Sequence, residues 1–299
     1  MFKATSALDY EFDTRKKLFI KFLVDNGGPE LPDYENFTLI VNNLDVKYLD
    51  NFREILSPIL NINTLIGYGY TKPYGYSGDF YLIDNIYSHH VNEDKKYRNW
   101  DIFFQNQAGA EAVRNRKEYF LCQCRNLSLS KPGRKNVLIL GSGPATDVNE
   151  FLSSYPGDDI HFDLVDFDQN AIDYSSNKNK KFENNISYHR VNVLRFEPFK
   201  RYDLIWSAGL FDYFREKHFV YLVKKYVKYL TVGGLFVIGN FSTENPTKSL
   251  MEVLSDWYLN HRSREDLLRI AEKAGVINGE VCIDAEALEV NLFLKIHSI

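Results

Sequence analysis

Apolar residues in the first half of the chain recur at the spacing of amphipathic helices. They lie three and four positions apart over residues 8 to 24 and 44 to 60, and helical patterns also cover residues 80 to 88 and 110 to 127. This spacing places apolar side chains along one face of a helix. We therefore predict a mainly helical N-terminal cap, a substrate-binding region, over residues 1 to 130.

After KPGRK, residues 131 to 135, short apolar runs alternate with helical segments. This alternation predicts a domain over residues 131 to 299 with a parallel sheet covered by helices on both faces. Only Ala285 to Leu288 separate the last two runs, which is too little for a crossover helix, so they predict an antiparallel hairpin at the sheet edge. The predicted strands are Val137–Leu140, His161–Val165, Ile186–Val191, Leu204–Trp206, Leu235–Gly239, Val276–Ile283 and Val290–Ile296.

A glycine-rich turn follows the first predicted strand, in NVLILGSGPATDVNEF, residues 136 to 151. Gly141 and Gly143 let the backbone turn sharply and approach a ligand, and the next helix would offer free N–H groups. A dinucleotide fingerprint would need a third glycine at position 146, where this chain has Thr146. The turn alone leaves two interpretations open, a nucleotide site and a tight strand–helix connection.

Polar or small residues end the next three predicted strands. Asp166, 25 positions after Gly141, can accept hydrogen bonds from both ribose hydroxyls, and Asp168 either assists or caps the helix beginning at Asn170. Asn192 suits the edge of an adenine or is a turn residue. Ser207 to Gly209 leave room above the sheet. Because ligands of open α/β sheets bind at the carboxyl ends of strands, all of these features fall at one edge.

Composition and charge restrict the classes of function that the protein can have. The chain has 299 residues, 25% charged residues and a formal net charge of −4, which gives no general attraction to nucleic acid or anionic membrane. No apolar run reaches the roughly 20 residues that cross a bilayer, and we see no signal peptide. Cys122, Cys124 and Cys282 fit neither a CxxC pair nor a zinc site, and predict structural thiols in a reducing cytoplasm.

The C-terminal half resembles class I S-adenosylmethionine-dependent methyltransferases. The resemblance covers residues 131 to 299 and rests on LILGSGPATD, LVDFD, VNVLRF, YDLIWSAGLFDYF and TVGGLFVIGNF. It implies an α/β fold with a Rossmann-like seven-stranded sheet of order 3-2-1-4-5-7-6, whose last strand is antiparallel. It also implies S-adenosyl-L-methionine as the cofactor, and we expect no metal.

Two segments of the first half and one later segment resemble a bacterial group of extracellular-factor, 3-hydroxypalmitic acid methyl ester biosynthesis proteins. The segments that carry this resemblance are GYTKPYGYSGDFYLID, AGAEAVRNRKEYF and DWYLNHRSREDL. The resemblance implies methylation of a small carboxylic acid or a lipid-like acceptor.

The methyltransferase resemblance assigns roles around the glycine turn and the second strand. Gly141, Ser142 and Gly143 would face the methionine part of the cofactor. Asp166 would hold the ribose, with Phe167 against the sugar and the adenine.

The same resemblance assigns roles at the third and fourth strands. Asn192 and Val193 would border the adenine, and Ser207 and Ala208 would lie beside the sulfonium. Two departures from the family pattern are mild: Ala145 replaces a frequent third glycine, and Asn192 stands where Asp is frequent.

Aromatic and basic residues outside these strand tips are the candidate substrate contacts. GYGYTKPYGYSGD, residues 67 to 79, predicts either a loop that closes over a pocket or an aromatic staple between cap and core. Trp257 either lines the acceptor pocket or belongs to the core. It lies on a predicted helical segment that also carries Arg262. The candidate substrate contacts are Tyr70, Tyr74, Tyr76, Asp79, Trp257 and Arg262, with Tyr76 also a candidate catalytic residue.

Two arginines in AVRNRKEYF are candidates for binding a carboxylate of the cofactor or the acceptor. Arg114 and Arg116 point in different directions on a helix, so at most one faces the pocket. We favour Arg114 as the cofactor contact, and the alternative is a surface charge.

Methyl transfer chiefly requires alignment of the reacting atoms and exclusion of water. A carboxylate acceptor needs no base, whereas a hydroxyl or an amine does, and Asp212 and Tyr213 are the candidate catalytic residues. We predict O-methylation of a small-molecule carboxylate or hydroxyl, without nucleic acid or membrane insertion. Alternatives are N-methylation of a small amine or amino acid, a nicotinamide-dependent oxidoreductase and a non-catalytic nucleotide-binding module. The sequence does not distinguish a monomer from a homodimer.

Overall fold

The computed structural model describes residues 7–130, 133–157, 159–276 and 281–298, with side chains from Thr14 onward. The chain folds into two compact units. Unit 1 comprises Met1–Ala110 and Thr247–Tyr258, and unit 2 comprises Glu111–Pro246 and Leu259–Ile299. The sequence predicts a single boundary after residue 130, next to Lys131 and Pro132, which lie outside the described residues.

From residue 135 onward strands are interleaved with helices, as the apolar pattern predicts, except that the strands Ile186–Arg190 and Tyr202–Ala208 follow each other without a helix between them. In the described part of the chain, the α-helices before the first strand are α1 (Ala7–Asp25), α2 (Tyr34–Asn42), α3 (Leu49–Leu56), α4 (Leu65–Thr71), α5 (Phe80–Tyr87), α6 (Lys95–Gln105) and α7 (Ala108–Ser130). The helices that follow are α8 (Thr146–Ser154), α9 (Gln169–Lys178), α10 (Glu216–Tyr226), α11 (Lys248–Ser255) and α12 (Arg264–Lys273). The strands are β1 (Lys135–Leu140), β2 (Ile160–Asp166), β3 (Ile186–Arg190), β4 (Tyr202–Ala208), β5 (Leu230–Phe241), β6 (Val281–Ala285) and β7 (Asn291–His297).

The sheet of unit 2 confirms the predicted topology. Its strand order is β3-β2-β1-β4-β5-β7-β6. Strands β1 to β5 pair in parallel, and β7 pairs antiparallel with both β5 and β6. The predicted strand Val276–Ile283 is described only in part, because residues 277–280 lie outside the described residues.

Both faces of the sheet are buried, which explains the continuous apolar run of β1. Alternate residues of a strand point to opposite faces. Leu138 and Leu140 join one apolar cluster, with side chains of α10 and α12, whereas Val137 and Ile139 join a second cluster, with side chains of α7 and α8. The sheet is therefore sandwiched between helices, and only the strand ends are available to a ligand.

Unit 1 has its own apolar core, built around Phe37, Trp100 and Phe103 in edge-to-face contact. Leu250 and Leu254 of α11 are buried in this core. That burial explains why a segment that follows β5 in the chain belongs to unit 1.

Helix α11 ends against a guanidinium within unit 1. Arg53 Nε donates to Val253 O at 3.0 Å and its Nη2 donates to Glu252 O at 3.1 Å, so it binds carbonyls in the last turn of the helix. Arg53 Nη2 also lies 3.4 Å from Asp256 Oδ1. No local sequence signal links Arg53 to a helix two hundred positions later.

The segment predicted as a loop over residues 67 to 79 begins as a helix. Thr64 caps α4 by accepting from Gly67 N at 2.8 Å. A Cβ on Gly67 would lie 2.2 Å from Asn61 N, so this glycine permits close packing rather than a flexible loop. The irregular part begins at Lys72, the left-handed residue that ends α4.

The helical segment predicted to carry Trp257 and Arg262 is also different in the structure. Helix α11 ends at Ser255, and Asp256 adopts a left-handed conformation with φ 49°. Arg262 instead forms an isolated parallel bridge with Ser242. The chain therefore leaves the helix before Trp257, and the next helix begins only at Arg264.

Candidate functional site

The glycine turn after β1 is held directly against the tip of β2. Gly141 N donates to Val165 O at 2.8 Å. Gly143 N donates to Asp166 Oδ2 at 3.0 Å. Gly141 and Gly143 have φ values of 71° and 53°, in the left-handed region that favours glycine. The turn and the acid predicted from separate motifs therefore form one substructure.

Asp166 is a buried carboxylate at the carboxyl edge of the sheet. It is 7% exposed, and its Oδ1 accepts from Asp168 N at 3.1 Å. Burial raises the pKa of Asp166, and the N–H groups of Asp168 and Gly143 oppose that rise. Two backbone donors thus orient the carboxyl group, and each of its oxygens can accept further hydrogen bonds.

The turn itself leaves space and an unused polar atom. A Cβ on Gly143 would meet no atom within 4 Å, whereas one on Gly141 would lie 3.1 Å from Leu210 Cβ. Ser142 is buried, and its Oγ has no hydrogen-bond partner among the described residues. A buried hydroxyl beside open space fits a polar ligand at this turn.

The two residues after Asp166 have different environments. Phe167 is 56% exposed, which suits stacking against a planar ligand. Asp168 Oδ1 accepts from Asn170 N at 2.9 Å and caps α9. Of the two roles predicted for Asp168, the structure shows the helix cap.

The third strand tip combines a turn residue and a buried apolar one. Asn192 is exposed, and its Oδ1 accepts from Leu194 N at 2.9 Å, which closes a local turn. Val193 is buried beneath it. Val191 N donates to Asp166 O at 2.8 Å, so this tip lies beside the acid. The side-chain oxygen of Asn192 is used in the turn.

The fourth strand tip supplies small residues. Ser207 is fully buried, and its Oγ donates to Leu140 O at 2.8 Å, which joins the ends of β4 and β1. Ala208 and Gly209 are partly exposed beyond it. Their small size leaves room for other groups at this part of the edge.

A buried arginine from α7 lies at the end of β4. Arg116 is 4% exposed, and its Nε has no hydrogen-bond partner among the described residues. A Cβ on Gly209 would lie 2.9 Å from Arg116 Nη1, so the glycine makes room for the guanidinium. Arg114, which the sequence favours, is only half-buried.

Helical periodicity contains the signal that distinguishes the two arginines. Val113 and Phe120 are buried on α7, and Arg116 lies three residues after the first and four before the second. It therefore belongs to the buried face of the helix, whereas Arg114 does not.

Two acids lie in the electrostatic field of Arg116. Burial raises the pKa of Asp212 to about 6 and that of Asp147 to about 6, and the Arg116 charge opposes both rises. Asp212 is 0% exposed; its Oδ1 accepts from Phe241 N at 2.7 Å, and its Oδ2 has no partner among the described residues. The motif LFDYF identified Asp212, but Asp147 was not singled out from the sequence.

Two other residues predicted for the site, Tyr213 and Arg262, differ from Asp212 in their exposure or their hydrogen bonds. Tyr213 is 39% exposed. The guanidinium of Arg262 is buried, and it donates to oxygens of Asn240 at 2.5 Å and Phe214 at 2.5 Å. These internal bonds favour a structural role for Arg262, which ties the end of β5 to the segment after β4.

The remaining predicted substrate contacts belong to unit 1. Tyr70 packs over the Arg53 guanidinium at 5.1 Å, and Tyr74 packs against Phe80 with ring centroids 4.6 Å apart. Asp79 is 1% exposed and caps α5 through Tyr81 N and Leu82 N. Tyr76 is half-buried, and Trp257 is buried. Each of these residues has a place within unit 1, and their contact with a substrate stays a prediction.

Metal-ligating side chains are not clustered in the described part of the chain. Within those ranges, no group of three or more His, Cys, Asp or Glu side chains could hold a metal ion. Among the helices of the same ranges, none has the length and apolar character needed to cross a membrane.

Comparison with known families and structures supports a methyltransferase domain in this part of the chain. Residues 137–234 match the model of a methyltransferase domain. Among curated proteins, none matches the sequence significantly. The matched region begins in β1 and includes the glycine turn, Asp166 and the tip of β4.

Two solved structures share the fold at low sequence identity. A possible exported protein from Bordetella parapertussis is 13% identical, with 99% of each chain covered and a TM-score of 0.64. The S-adenosylmethionine-dependent methyltransferase SibL, in its apo form, is 14% identical, with 83% of this chain and 76% of that chain covered and a TM-score of 0.52. At these identities the likeness is one of fold.

Proposed function

We propose that the protein, whose residues 137–234 match a methyltransferase domain, is a class I S-adenosylmethionine-dependent methyltransferase that methylates an oxygen, carboxylate or hydroxyl, of a small-molecule acceptor. The observation that carries this proposal is the free Oδ2 of the buried Asp212 beside the open tip of β4. The resemblance of the first half to methyl ester biosynthesis proteins supports a small carboxylic acid or lipid-like acceptor. A cytoplasmic location stays a prediction from the cysteine content.

The strand tips supply the groups that the cofactor requires. Asp166 would accept hydrogen bonds from the ribose hydroxyls, because both its oxygens are oriented by backbone donors. Phe167 and Val193 would border the adenine. Gly141 to Gly143 would face the methionine part, with the unpartnered Ser142 hydroxyl available as a donor. S-adenosylmethionine supplies a methyl group on a sulfonium, whose leaving group is a neutral thioether.

We propose Arg116, in place of Arg114, as the contact for the cofactor's carboxylate. Its guanidinium is buried with an unpartnered Nε, and a planar fork of donors matches a carboxylate bidentately. Asp147, which lies in the field of the same guanidinium, would face the ammonium of the same amino-acid group. The opposite charges of Arg116 and Asp147 therefore suit a zwitterion.

Asp212 is the residue we propose for proton removal. Because burial raises its pKa to about 6, it is mostly ionised at pH 7 and can still accept a proton. A hydroxyl acceptor would use this base, whereas a carboxylate acceptor would need only to be positioned. Tyr213, next to Asp212 but exposed, is proposed to position the acceptor.

N-methylation of a small amine remains the second candidate. The two acids Asp147 and Asp212 would attract an ammonium acceptor when they are ionised, and the charges of Arg116, Lys117 and Arg262 partly offset that attraction.

The acceptor that is labelled and the chemical stability of the product distinguish O-methylation from N-methylation. The full-length protein is incubated with methyl-labelled S-adenosylmethionine and panels of carboxylic acids, alcohols with phenols, and amines. A methyl ester releases labelled methanol in mild alkali, whereas methyl ethers and N-methyl amines do not. We expect label transfer to acids or hydroxyl compounds. Transfer only to amines would overturn O-methylation and leave cofactor use intact.

A further inference from the structure

In unit 2, helix α7 is joined by one hydrogen bond to the edge strand β6 and by a second to Glu286, the residue that follows this strand. Asn115 Nδ2 donates to Glu286 Oε2 at 2.8 Å, and the Tyr119 hydroxyl donates to Asp284 Oδ2 at 2.7 Å. A step of four residues forward on the helix thus corresponds to two residues backward on the strand. The two elements run antiparallel to each other.

The next step along this register leads to one cysteine on each element. Three residues after Tyr119 the helix has Cys122, and two residues before Asp284 the strand has Cys282. The helix advances about 4.5 Å over three residues and the strand about 6.8 Å over two, so both steps cover similar lengths. Cys122 lies on the helix face of Tyr119, and Cys282 lies on the strand face of Asp284.

The surroundings of both thiols agree with this placement. Cys122 and Cys282 are free and exposed, whereas Cys124 is free and buried. The pKa of Tyr119 is raised by burial, by the bond to Asp284 and also by the charges of Cys282 and Cys122. Both thiols therefore lie near the same phenolic oxygen, on opposite elements.

We propose that Cys122 and Cys282 form an oxidisable pair, which a low-molecular-weight disulfide such as oxidised glutathione converts to an intramolecular disulfide. One protein thiolate attacks the small disulfide and releases one small thiol. The second protein thiolate then attacks the mixed disulfide and releases the other. In balance, two protein S–H bonds are lost, one S–S bond forms, and the small disulfide is reduced to two thiols.

The bond would fasten α7 to the edge of the sheet. It would close a long loop of the chain, which restricts the unfolded state and raises the unfolding midpoint. In a reducing cytoplasm such bonds are usually transient and redox-sensing. Formation of the bond depends on the packing of α7 against β6 and not on the identity of the acceptor.

Peptide mapping after oxidation tests the pair. The folded full-length protein is equilibrated with oxidised and reduced glutathione at several ratios, blocked with an alkylating reagent and digested with trypsin without reduction. Trypsin leaves Cys122 and Cys124 in one peptide, because no Lys or Arg lies between them. The Cys124→Ala variant therefore identifies the partner of Cys282 without ambiguity.

We expect a linked peptide in the wild type and in Cys124→Ala, a loss of two hydrogen atoms in mass, and an unfolding midpoint raised by several degrees. Cys122→Ser and Cys282→Ser should each abolish the link and remain folded by circular dichroism, since both positions are exposed. Tyr119→Phe should slow the reaction, because it removes the bond to Asp284. A link through Cys124, a link only between two molecules, or stable glutathione adducts without a link would each overturn the proposal.

Discussion

The backbone N–H of Gly143 donates a hydrogen bond of 3.0 Å to Oδ2 of Asp166. This bond joins the two motifs that we propose to bind the cofactor, the glycine turn after β1 and the acid at the tip of β2. It exists because β1 and β2 pair in parallel, with Leu140 opposite Val165, so their carboxyl ends reach the same edge. A ligand on this edge contacts the turn and the acid together.

Replacement of Asp166 should weaken cofactor binding more than replacement of its neighbour Asp168. Asp166→Ala removes the proposed ribose acceptor, and we expect the Kd for S-adenosylmethionine to rise about 10- to 100-fold, or about 1.4–2.8 kcal/mol. Asp168→Ala removes the side-chain cap of α9 and should lower stability by about 1 kcal/mol. Titration calorimetry and urea unfolding of both variants make the comparison. Equal losses of affinity would contradict the ribose assignment.

A methyl group on Gly143 should weaken cofactor binding as well as strain the backbone. Gly143→Ala places a Cβ in the open space of the turn, at a φ of 53°, and should cost about 1 kcal/mol of stability together with a large loss of cofactor affinity. Gly275, with a φ of 80° and equally open surroundings, gives a matched control for strain. Gly275→Ala should lower stability similarly and leave the cofactor Kd unchanged. A normal Kd in Gly143→Ala would show that the ligand lies elsewhere.

Substitutions of the two arginines of α7 should have different effects on cofactor affinity. Arg116→Lys keeps the charge but loses the planar fork, and we expect an affinity loss of about 10-fold. Arg114→Lys should change the Kd less than about 2-fold, because this side chain is only half-buried. Isothermal titration with S-adenosylhomocysteine measures both. Reversal of this order would restore Arg114 as the carboxylate contact.

The stability of the protein should depend on pH through Asp212. Its folded pKa of about 6 is above the usual value of an aspartate, so its contribution is complete below about pH 4 and is lost as the pH rises through 6. Asp212→Asn removes this dependence. We expect the free energy of unfolding of the variant, relative to wild type, to increase by about 2–3 kcal/mol from pH 4 to pH 7.5. Urea unfolding at intermediate pH values tests this, and a constant difference would mean that Asp212 titrates normally.

Local signals in the sequence predicted the parallel sheet and its final hairpin. The alternation of apolar runs and helical patterns predicted the parallel strands, and the short last connection predicted the hairpin, because each βαβ unit and each tight hairpin has few geometries available. Gly141, Gly143 and Asp166 were identified for the same reason, since strand tips of a parallel sheet meet at one edge. The strand order was implied by the resemblance to class I methyltransferases.

Contacts between distant segments were not predictable from local patterns. The burial of α11 in unit 1 depends on Leu250, Leu254 and the guanidinium of Arg53, and nothing in the spacing near residue 250 indicates that partner. The glycines of residues 67 to 71 suggested a loop, because glycine disfavours helices, but close packing on Asn61 retains them in α4.

By itself, the sequence determined which residues form strands and turns, and therefore which chemical groups reach the carboxyl edge of the sheet. Only the tertiary structure decided how those groups are used: Ser207 bonds Leu140, Asn192 closes a turn, and Arg116 rather than Arg114 is buried beside Gly209. The physical reason is that periodicity fixes the direction of a side chain along its own element, whereas its hydrogen-bond partner depends on which other elements pack against it.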